Sequence, residues 1–306
     1  MKILITGGTG FQGSHLARYL LKDGHCISIL NTQSDRAIEN IKDIINKVQV
    51  YWGDIKNNML IDKAFADQDV IFHLAGNVNV DQSLQDPLLY FNNNILGTYN
   101  ILEAVKHYKN RLIFVSTCEV YGDGHGEDVK TLAESTELRP SSPYAASKTA
   151  ADRMCYTYFR SYGVDVTIVR PFNIYGEKQK AGKFGALIPI FVSRAMEGKN
   201  LTIFGDGRSE RDYMHVDDII QGYNIILNNP TLTGQVINFA SGENITIKEI
   251  AEYIAKKFDV SIDYGPARIG EVTRLPADIL FARRLGYKPQ VDLWQGIDRY
   301  IEWVKS

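Results

Sequence analysis

Short apolar runs rich in β-branched residues alternate along the chain with longer segments whose apolar positions recur at helical spacing. Runs of this length indicate buried strands, and the intervening segments are long enough for helices. The predicted strands up to residue 170 are residues 2–6, 26–30, 48–54, 69–76, 111–117 and 165–170. The predicted helices between them are residues 12–24, 36–47, 59–67 and 86–108, with another helix beginning near Ser142.

This alternation is typical of βαβ units, which form a parallel sheet with helices on both faces. The predicted fold class is therefore α/β, a doubly wound Rossmann-type parallel sheet with a smaller C-terminal substrate domain. Ligands of such sheets bind beyond the carboxyl ends of the strands. The residues that carry chemistry are therefore expected at those ends.

After Arg170 the pattern is looser. It predicts helices at 186–198, 216–228, 246–257, 277–285 and 293–304, and strands at 201–205 and 234–241. We expect the helix and strand within 216–240 to return to the main sheet. The predicted dinucleotide-binding domain is residues 1–171 plus about 216–242, and the substrate domain is residues 172–215 and 243–306.

Composition adds little to the pattern but excludes some classes of function. The 306 residues are 44% hydrophobic and carry a formal net charge of −2, so no general basic field exists for nucleic acid or an anionic membrane. The three cysteines, Cys26, Cys118 and Cys155, lie far apart and without metal-ligand spacing. We therefore expect free thiols and no metal. Since no signal peptide or membrane-spanning run is recognised, we expect a cytoplasmic protein.

A glycine-rich turn joins the first predicted strand to the first predicted helix. Its sequence, ITGGTGFQGSH, sets glycines at 7, 8, 10 and 13. Glycines allow a sharp turn and a close approach to a pyrophosphate, and the helix N-terminus adds N–H donors. The predicted cofactor-binding residues of this turn are Gly7, Gly10, Phe11, Gln12 and Gly13.

The ends of the next strands refine the cofactor prediction. In NAD-binding proteins of this fold, an acidic residue at the end of the second strand binds the ribose 2′-hydroxyl. Here the second strand ends on Asn31 instead, and Arg36 lies further along. NAD is the predicted cofactor, and NADP is not excluded. Further predicted contacts are Asp54 and Ile55, which could meet the adenine, and Leu74 and Ala75, whose strand ends on small residues. Asp54 could instead cap the following helix.

Tyr144 and Lys148 are four residues apart and share one helical face. A free phenol has a pKa of about 10, and lowering it by about three units needs roughly 4 kcal/mol. A neighbouring ammonium and a positive nicotinamide ring both favour the phenolate. Tyr144 is therefore a candidate base for oxidation of an alcohol, with Lys148 as its cationic partner.

Taken in order, the motifs resemble the extended short-chain dehydrogenase/reductase family, in its NAD-dependent nucleotide-sugar epimerase/dehydratase branch. The resemblance covers essentially the whole chain. The motifs are TGGTGFQG, GDI, HLAG, NNILGT, STCEVYG, PYAASK, RPFNIYG, IFGDGRSERDYMHVDD and ARIGEV. The departure at Asn31 leaves the 2′ position of the cofactor open.

The resemblance implies roles for several residues. Thr117 would hydrogen-bond the sugar C4 hydroxyl, Tyr144 would be the base, and Lys148 would also bind the nicotinamide ribose. The implied partners of a nucleotide-diphosphate sugar are Asn173 and Arg211 at the diphosphate, Phe204 near the base, and Arg268 at phosphate or ribose. The two long helices near 86–108 and 142–163 resemble the pair that forms a homodimer interface. Its candidate apolar residues are Tyr156, Tyr158 and Phe159, for which core packing is an equally good account.

The triplet Thr117-Cys118-Glu119 bears on the type of sugar chemistry. In the family, a dehydratase carries an acid and a base directly after the threonine, so Glu119 would remove the C5 proton and Cys118 could protonate the leaving oxygen. A 4,6-dehydratase is the first interpretation, with a 5,6-dehydratase as a variant. A 4-epimerase is the main alternative, ahead of a decarboxylase, a reductase or a non-enzymatic NAD(P)-binding regulatory module. Structurally, Cys118 could be a small buried filler, and Glu119 could be held by an N–H group or an arginine.

Overall fold

The computed structural model describes residues 1–122, 131–179, 181–182, 185–267 and 274–306. Its strands are β1 Lys2–Thr6, β2 Cys26–Asn31, β3 Gln49–Trp52, β4 Val70–His73, β5 Arg111–Val115, β6 Val166–Pro171, β7 Asn173–Tyr175, β8 Leu201–Phe204, β9 Glu210–His215, β10 Val236–Phe239, β11 Asn244–Thr246, β12 Ile262–Gly265 and β13 Arg274–Leu275. Its α-helices are α1 Phe11–Lys22, α2 Asp35–Ile41, α3 Asn58–Phe65, α4 Val80–Gln85, α5 Pro87–Tyr90, α6 Gly97–Tyr108, α7 Pro143–Tyr162, α8 Leu187–Met196, α9 Val216–Leu227, α10 Ile247–Phe258, α11 Leu280–Arg284 and α12 Leu293–Lys305.

The chain forms two compact units. Unit 1 consists of Met1–Thr117, Pro143–Arg170 and Ile220–Ile237, and unit 2 consists of Cys118–Ser142, Pro171–Ile219 and Asn238–Ser306. These units differ from the predicted domains mainly at residues 118–142, which lie in unit 2. The assignment of the cofactor to one domain and the nucleotide sugar to the other stays a prediction.

Unit 1 is built on a seven-stranded sheet with strand order β10-β6-β5-β4-β1-β2-β3. The registers from β3 through β6 are parallel, which confirms the predicted fold class. β10 hydrogen-bonds to β6, so the strand predicted at 234–241 does return to the main sheet. The order reverses between β1 and β4, and ligands of such sheets bind beyond the strand ends at this reversal.

The central strands of unit 1 are buried on both faces because helices cover them, whereas the edge strand β3 is only partly buried. The core includes Leu4, Ile71, Phe114 and Ile168 from four neighbouring strands, all fully or almost fully buried. This explains why the strands read as continuous apolar runs rather than as alternating patterns.

The long helix predicted at 86–108 is wrong as a single regular helix. Asp86 caps α5, whose first residue is Pro87, and a π-helical segment, Phe91–Leu96, separates α5 from α6. The apolar pattern indicates helix throughout, but periodicity alone does not show a local change in hydrogen bonding. The predicted helix at 36–47 is also shorter, since α2 ends at Ile41.

Unit 2 has a separate core and smaller sheets. β11, β9 and β13 form one sheet in which β7 also pairs with β9, and β8 pairs with β12. Its core packs α8, α10 and α12 through side chains such as Phe191, Ile250 and Ile297. Several of its strands have only two to four residues, and the sequence pattern did not reveal β7, β9, β11, β12 and β13. None of the described helices in either unit is long and apolar enough to cross a membrane.

Candidate active site

The glycine turn after β1 fits a dinucleotide phosphate. Gly7 has a φ of +73°, and a Cβ there would lie 2.8 Å from the backbone nitrogen of Ala75. A Cβ on Gly13 would clash with the carbonyl oxygen of Gly7. Gly10 precedes α1 and gives it no side-chain cap, so the first-turn amides are available to an anion. Phe11 and Gln12 are the first two residues of that turn, and both are partly buried.

Asn31 ends β2 with its side chain already hydrogen-bonded. Its Oδ1 accepts from the Thr9 amide at 3.4 Å, and its Nδ2 donates to the Thr32 carbonyl at 3.0 Å. Arg36 lies five residues later on α2 and is exposed. The end of β2 therefore carries an amide where a carboxylate would discriminate against a 2′-phosphate.

Asp54 follows β3 and organises a turn. Its Oδ1 accepts from the Lys56 amide at 2.8 Å, whereas the side chain that caps α3 belongs to Asn57. The alternative that Asp54 caps the following helix is therefore wrong. Ile55 is buried and contacts α6, because a Cβ on Gly97 would meet its side chain.

The strand end at Leu74 and Ala75 is held by a chain of hydrogen bonds that the sequence analysis missed. Thr98 donates to the Asn94 carbonyl at 2.6 Å, so its hydroxyl oxygen accepts from Nε2 of His73 at 3.1 Å. Nδ1 of His73 then accepts from Thr6 at 2.7 Å, and the Thr6 oxygen accepts from the Ala75 amide at 3.3 Å. Burial lowers the pKa of His73 to about 3, so the ring stays neutral and holds this tautomer.

Tyr144 and Lys148 lie on α7 and are both buried. The Tyr144 ring lies edge-on to that of Tyr90, with centroids 6.3 Å apart. Lys148 donates from Nζ to the Val115 carbonyl at 2.6 Å and lies 4.5 Å from the centre of the Phe114 ring. Thr117, buried two residues after Val115, completes the predicted oxidation residues of unit 1.

Burial lowers the pKa of Lys148 to about 8, and nearby Cys155 and Asp152 act in the opposite direction. Asp152 lies one helical turn after Lys148 and is fully buried. Arg170 binds it with both Nε, at 2.9 Å, and Nη2, at 3.0 Å. Lys148 is therefore a cation at neutral pH and loses its proton as the pH rises through its pKa of about 8.

Asn94 and Ser147 form a second network that the sequence analysis missed. The Asn94 amide donates to Ser147 Oγ at 2.8 Å, and Ser147 donates to the Tyr144 carbonyl at 2.7 Å. Asn94 Oδ1 also accepts from the Asn77 amide at 2.7 Å. The run of three asparagines that leads into NNILGT was the available signal, but its partners are distant in the sequence.

Cys118 and Glu119 open unit 2 directly after Thr117 in the chain. They lie in the short 3₁₀ turn Cys118–Val120, in which Cys118 is buried and Glu119 is partly buried. Burial raises the pKa of Glu119, and the positive charge of Arg211 partly offsets this. The carboxyl group of Glu119 therefore binds its proton more tightly than that of a free glutamate does.

The predicted substrate residues of unit 2 lie on two different sheets: Asn173 and Arg211 on the paired strands β7 and β9, and Phe204 on β8. Asn173 on β7 donates from Nδ2 to the Asp212 carbonyl of β9 at 3.0 Å, and Arg211 is the preceding residue of β9. Phe204 ends β8 with 38% of its surface exposed. It pairs in register with Gly265, where a Cβ would lie 3.3 Å from the Phe204 ring. Arg268 lies outside the described residues.

Comparison with known proteins gives consistent matches. The family model described as "NAD dependent epimerase/dehydratase family" matches residues 3–240. The dTDP-glucose 4,6-dehydratase of Mycolicibacterium smegmatis is 32% identical over 315 residues, covering 100% of this chain and 94% of the relative.

Two solved structures resemble the whole chain. The UDP-glucose 4-epimerase of Thermus thermophilus in complex with NAD has a TM-score of 0.91 and 30% identity, covering 100% of this chain and 99% of that chain. The dTDP-glucose 4,6-dehydratase of Streptomyces venezuelae, solved with NAD bound, has a TM-score of 0.92 and 30% identity, covering 100% and 97%.

Proposed function

The chain belongs to the NAD dependent epimerase/dehydratase family, and within it we propose that the protein is a nucleotide-sugar dehydratase. The observation that carries this proposal is Glu119, a partly buried carboxyl of raised pKa two residues after Thr117. Cys118 stands between them in the chain. Elimination of water needs a base in addition to the residues that oxidise the sugar, whereas simple inversion does not.

The first stage is oxidation of the sugar at C4. NAD, when bound, supplies the redox chemistry by taking a hydride from C4 and returning it, to C6 in a 4,6-dehydratase or to C4 in an epimerase. Thr117 would orient the C4 hydroxyl, and Tyr144 would take its proton. Lys148, which is charged below its pKa of about 8, would favour the Tyr144 phenolate and hold the nicotinamide ribose.

In the second stage, Glu119 would remove the proton at C5 of the keto sugar. A double bond forms between C5 and C6, the C6–O bond breaks, and the leaving oxygen departs as water after taking a proton. Cys118 or a water molecule would supply that proton. The family's 5,6-elimination is a variant that would use the same two residues.

We assign the nucleotide and diphosphate to unit 2. Arg211 suits a diphosphate because a guanidinium can donate two parallel hydrogen bonds. Asn173 lies on the strand next to that of Arg211, and the exposed ring of Phe204 could contact the nucleotide base. Arg268 is proposed at phosphate or ribose from the sequence alone.

The second candidate function is a 4-epimerase. A UDP-glucose 4-epimerase structure matches the full length of this chain, so the similarity itself does not separate the two activities. An epimerase would use Thr117, Tyr144 and Lys148 in the same way to oxidise the sugar at C4. It would not need Glu119, because no proton is removed from C5.

The test is mass spectrometry of the full chain with UDP-, GDP- and dTDP-hexoses. We expect a product lighter by one water, whereas a new peak of unchanged mass would establish the epimerase instead. Glu119→Gln should stop exchange of the C5 proton with solvent while reduction of the cofactor continues. Glu137→Gln, at an exposed acid of the same unit, is the matched control. Normal elimination in Glu119→Gln would contradict the role of Glu119.

The proposed assembly is a homodimer formed through α6 and α7. The large hydrophobic side chains exposed on these helices are Tyr99, Tyr156 and Tyr162. Tyr158 instead belongs to the core of unit 1 and hydrogen-bonds Glu103, and Phe159 packs against that core. We also propose a cytoplasmic location, which the three free thiols support.

A further inference from the structure

Gln12 and Tyr223 form a hydrogen-bonded pair in unit 1. Tyr223 lies on α9 and is fully buried, with its ring edge-on to Phe72 at 5.9 Å. Its hydroxyl donates to Oε1 of Gln12 at 2.5 Å. Burial raises the pKa of Tyr223, so the hydroxyl stays protonated and available as a donor.

The pair fixes the orientation of a carboxamide beside the glycine turn. Gln12 is the second residue of α1, whose first-turn amides have no partner within the helix. Because the Tyr223 hydroxyl occupies Oε1, the carboxamide nitrogen keeps two hydrogens that have no hydrogen-bond partner among the described residues. Without Tyr223, the group could turn and present its oxygen to an anion instead.

We propose that the side chain of Gln12 donates a hydrogen bond to the pyrophosphate of the bound dinucleotide, and that Tyr223 is the positioning residue that keeps it donating. The inference rests on NAD as the cofactor of the proposed function. It adds a side-chain donor to the backbone amides of the glycine turn, and this donor depends on a residue more than two hundred positions away. Of the groups in a dinucleotide, the pyrophosphate is the one that helix N-termini bind.

The test is calorimetric titration of the full chain, freed of any bound dinucleotide, with NAD, ADP-ribose and adenosine. Gln12→Leu removes the donor, and we expect about tenfold weaker binding of NAD and ADP-ribose, as for loss of one hydrogen bond to a charged group. Adenosine, which lacks phosphate, should bind as it does to the unchanged chain. This ligand pattern separates a pyrophosphate contact from a general structural role.

Tyr223→Phe tests the positioning role. We expect a smaller loss with the same ligand pattern, because the donor remains but is no longer held. The double variant should bind NAD no more weakly than Gln12→Leu alone, since both changes act through one contact. Thermal unfolding of each variant verifies that the titrated protein is folded.

Three results would overturn the proposal: unchanged NAD affinity in folded Gln12→Leu, an equal loss for adenosine, or tighter binding of NAD. In each case the unchanged chain still binds NAD, so the proposed function stands. Failure of the unchanged chain to bind NAD would instead overturn both.

Discussion

At Lys148, burial and charge have opposite effects on the pKa. Burial favours its neutral form, while Asp152 favours the ammonium. The spacing of Tyr144 and Lys148 on one helical face is local and could be predicted from the sequence. The value of the pKa depends on the packing of α7, which the sequence does not show.

A pH dependence follows for oxidation of the sugar. The pKa of Lys148 is lowered from 10.5 to about 8, so the ammonium is present below this value and is lost as the pH rises through it. We expect the rate of cofactor reduction, followed by absorbance after mixing with substrate, to fall above about pH 8. Lys148→Met should slow this step by about a hundredfold or more and remove that alkaline limb. Lys106→Met, at an exposed lysine of α6, should keep the limb, and a flat profile in the unchanged chain would refute the assignment.

Asn31 supports a prediction on cofactor selectivity. Asn31→Asp places a negative charge at the end of β2, where it would accept from a 2′-hydroxyl and repel a 2′-phosphate. We expect the ratio of the NADP to the NAD dissociation constant to rise about tenfold. This factor corresponds to an interaction of about 1.4 kcal/mol, the free energy of a one-unit pKa shift. Titration of both dinucleotides measures it, with Asn57→Asp at the cap of α3 as control. Equal changes for both dinucleotides would argue against contact with the 2′ position.

Other residues of the site could not have been found in the same way. His73, Thr98 and Thr6 act through a hydrogen-bond chain that joins β4, α6 and β1. Each looks like an ordinary core residue in the sequence. Their roles depend on the strand order, because β1 and β4 are neighbours in space but are separated in sequence by two further strands.

At the scale of elements, prediction succeeded for α7, which is long, and for the strands of the main sheet, which stand out as continuous apolar runs. β7, β11 and β13 have two or three residues each, so they carry almost no pattern, and they form only because β9 offers edges to pair with. Non-local pairing of this kind overrides local propensity.

The packing of α12 on β7 supports a stability prediction. A Cβ on Gly296 of α12 would clash with the Tyr175 hydroxyl, which donates to the Leu293 carbonyl. Gly296→Ala should therefore destabilise the protein by about 1–3 kcal/mol despite alanine's better helix propensity. Urea unfolding measures this change.

Tyr175→Phe provides the matched background for that experiment. It removes the hydroxyl that the new methyl group would meet, so the cost of Gly296→Ala should be smaller there than in the unchanged chain. Strict additivity of the two changes would show that the clash does not determine the cost.

At the scale of the whole molecule, the predictions of family, fold class, enzymatic nature and NAD as cofactor are confirmed by the family match and by NAD-bound relatives. These followed from ordered motifs at strand ends. The boundary at Thr117–Cys118 could not be predicted, because it falls inside a continuous motif and reflects contacts elsewhere in unit 2, such as the hydrogen bond from the Leu132 amide to the Pro276 carbonyl.

Oligomeric state is the remaining prediction at this scale. Tyr99→Glu combined with Tyr156→Glu puts charges on the exposed face of α6 and α7, where they would be buried in the proposed homodimer. We expect light scattering after size-exclusion chromatography to show a dimer for the unchanged chain and a monomer for this variant. Tyr264→Glu, at an exposed tyrosine of unit 2, should leave the dimer intact. A monomeric unchanged chain would disprove the interface.

The division of each unit into three chain segments determines the order in which they can be completed during synthesis. β6 receives its neighbour β10 only after Ile237 has left the ribosome, and unit 2 also needs residues up to the final helix, α12. Neither unit can therefore finish folding while the other is still unmade, unlike domains that fold one after another from the N-terminus. A nascent chain stalled between β6 and β10 would carry β6 as an unpaired sheet edge, which is the kind of surface that chaperones protect.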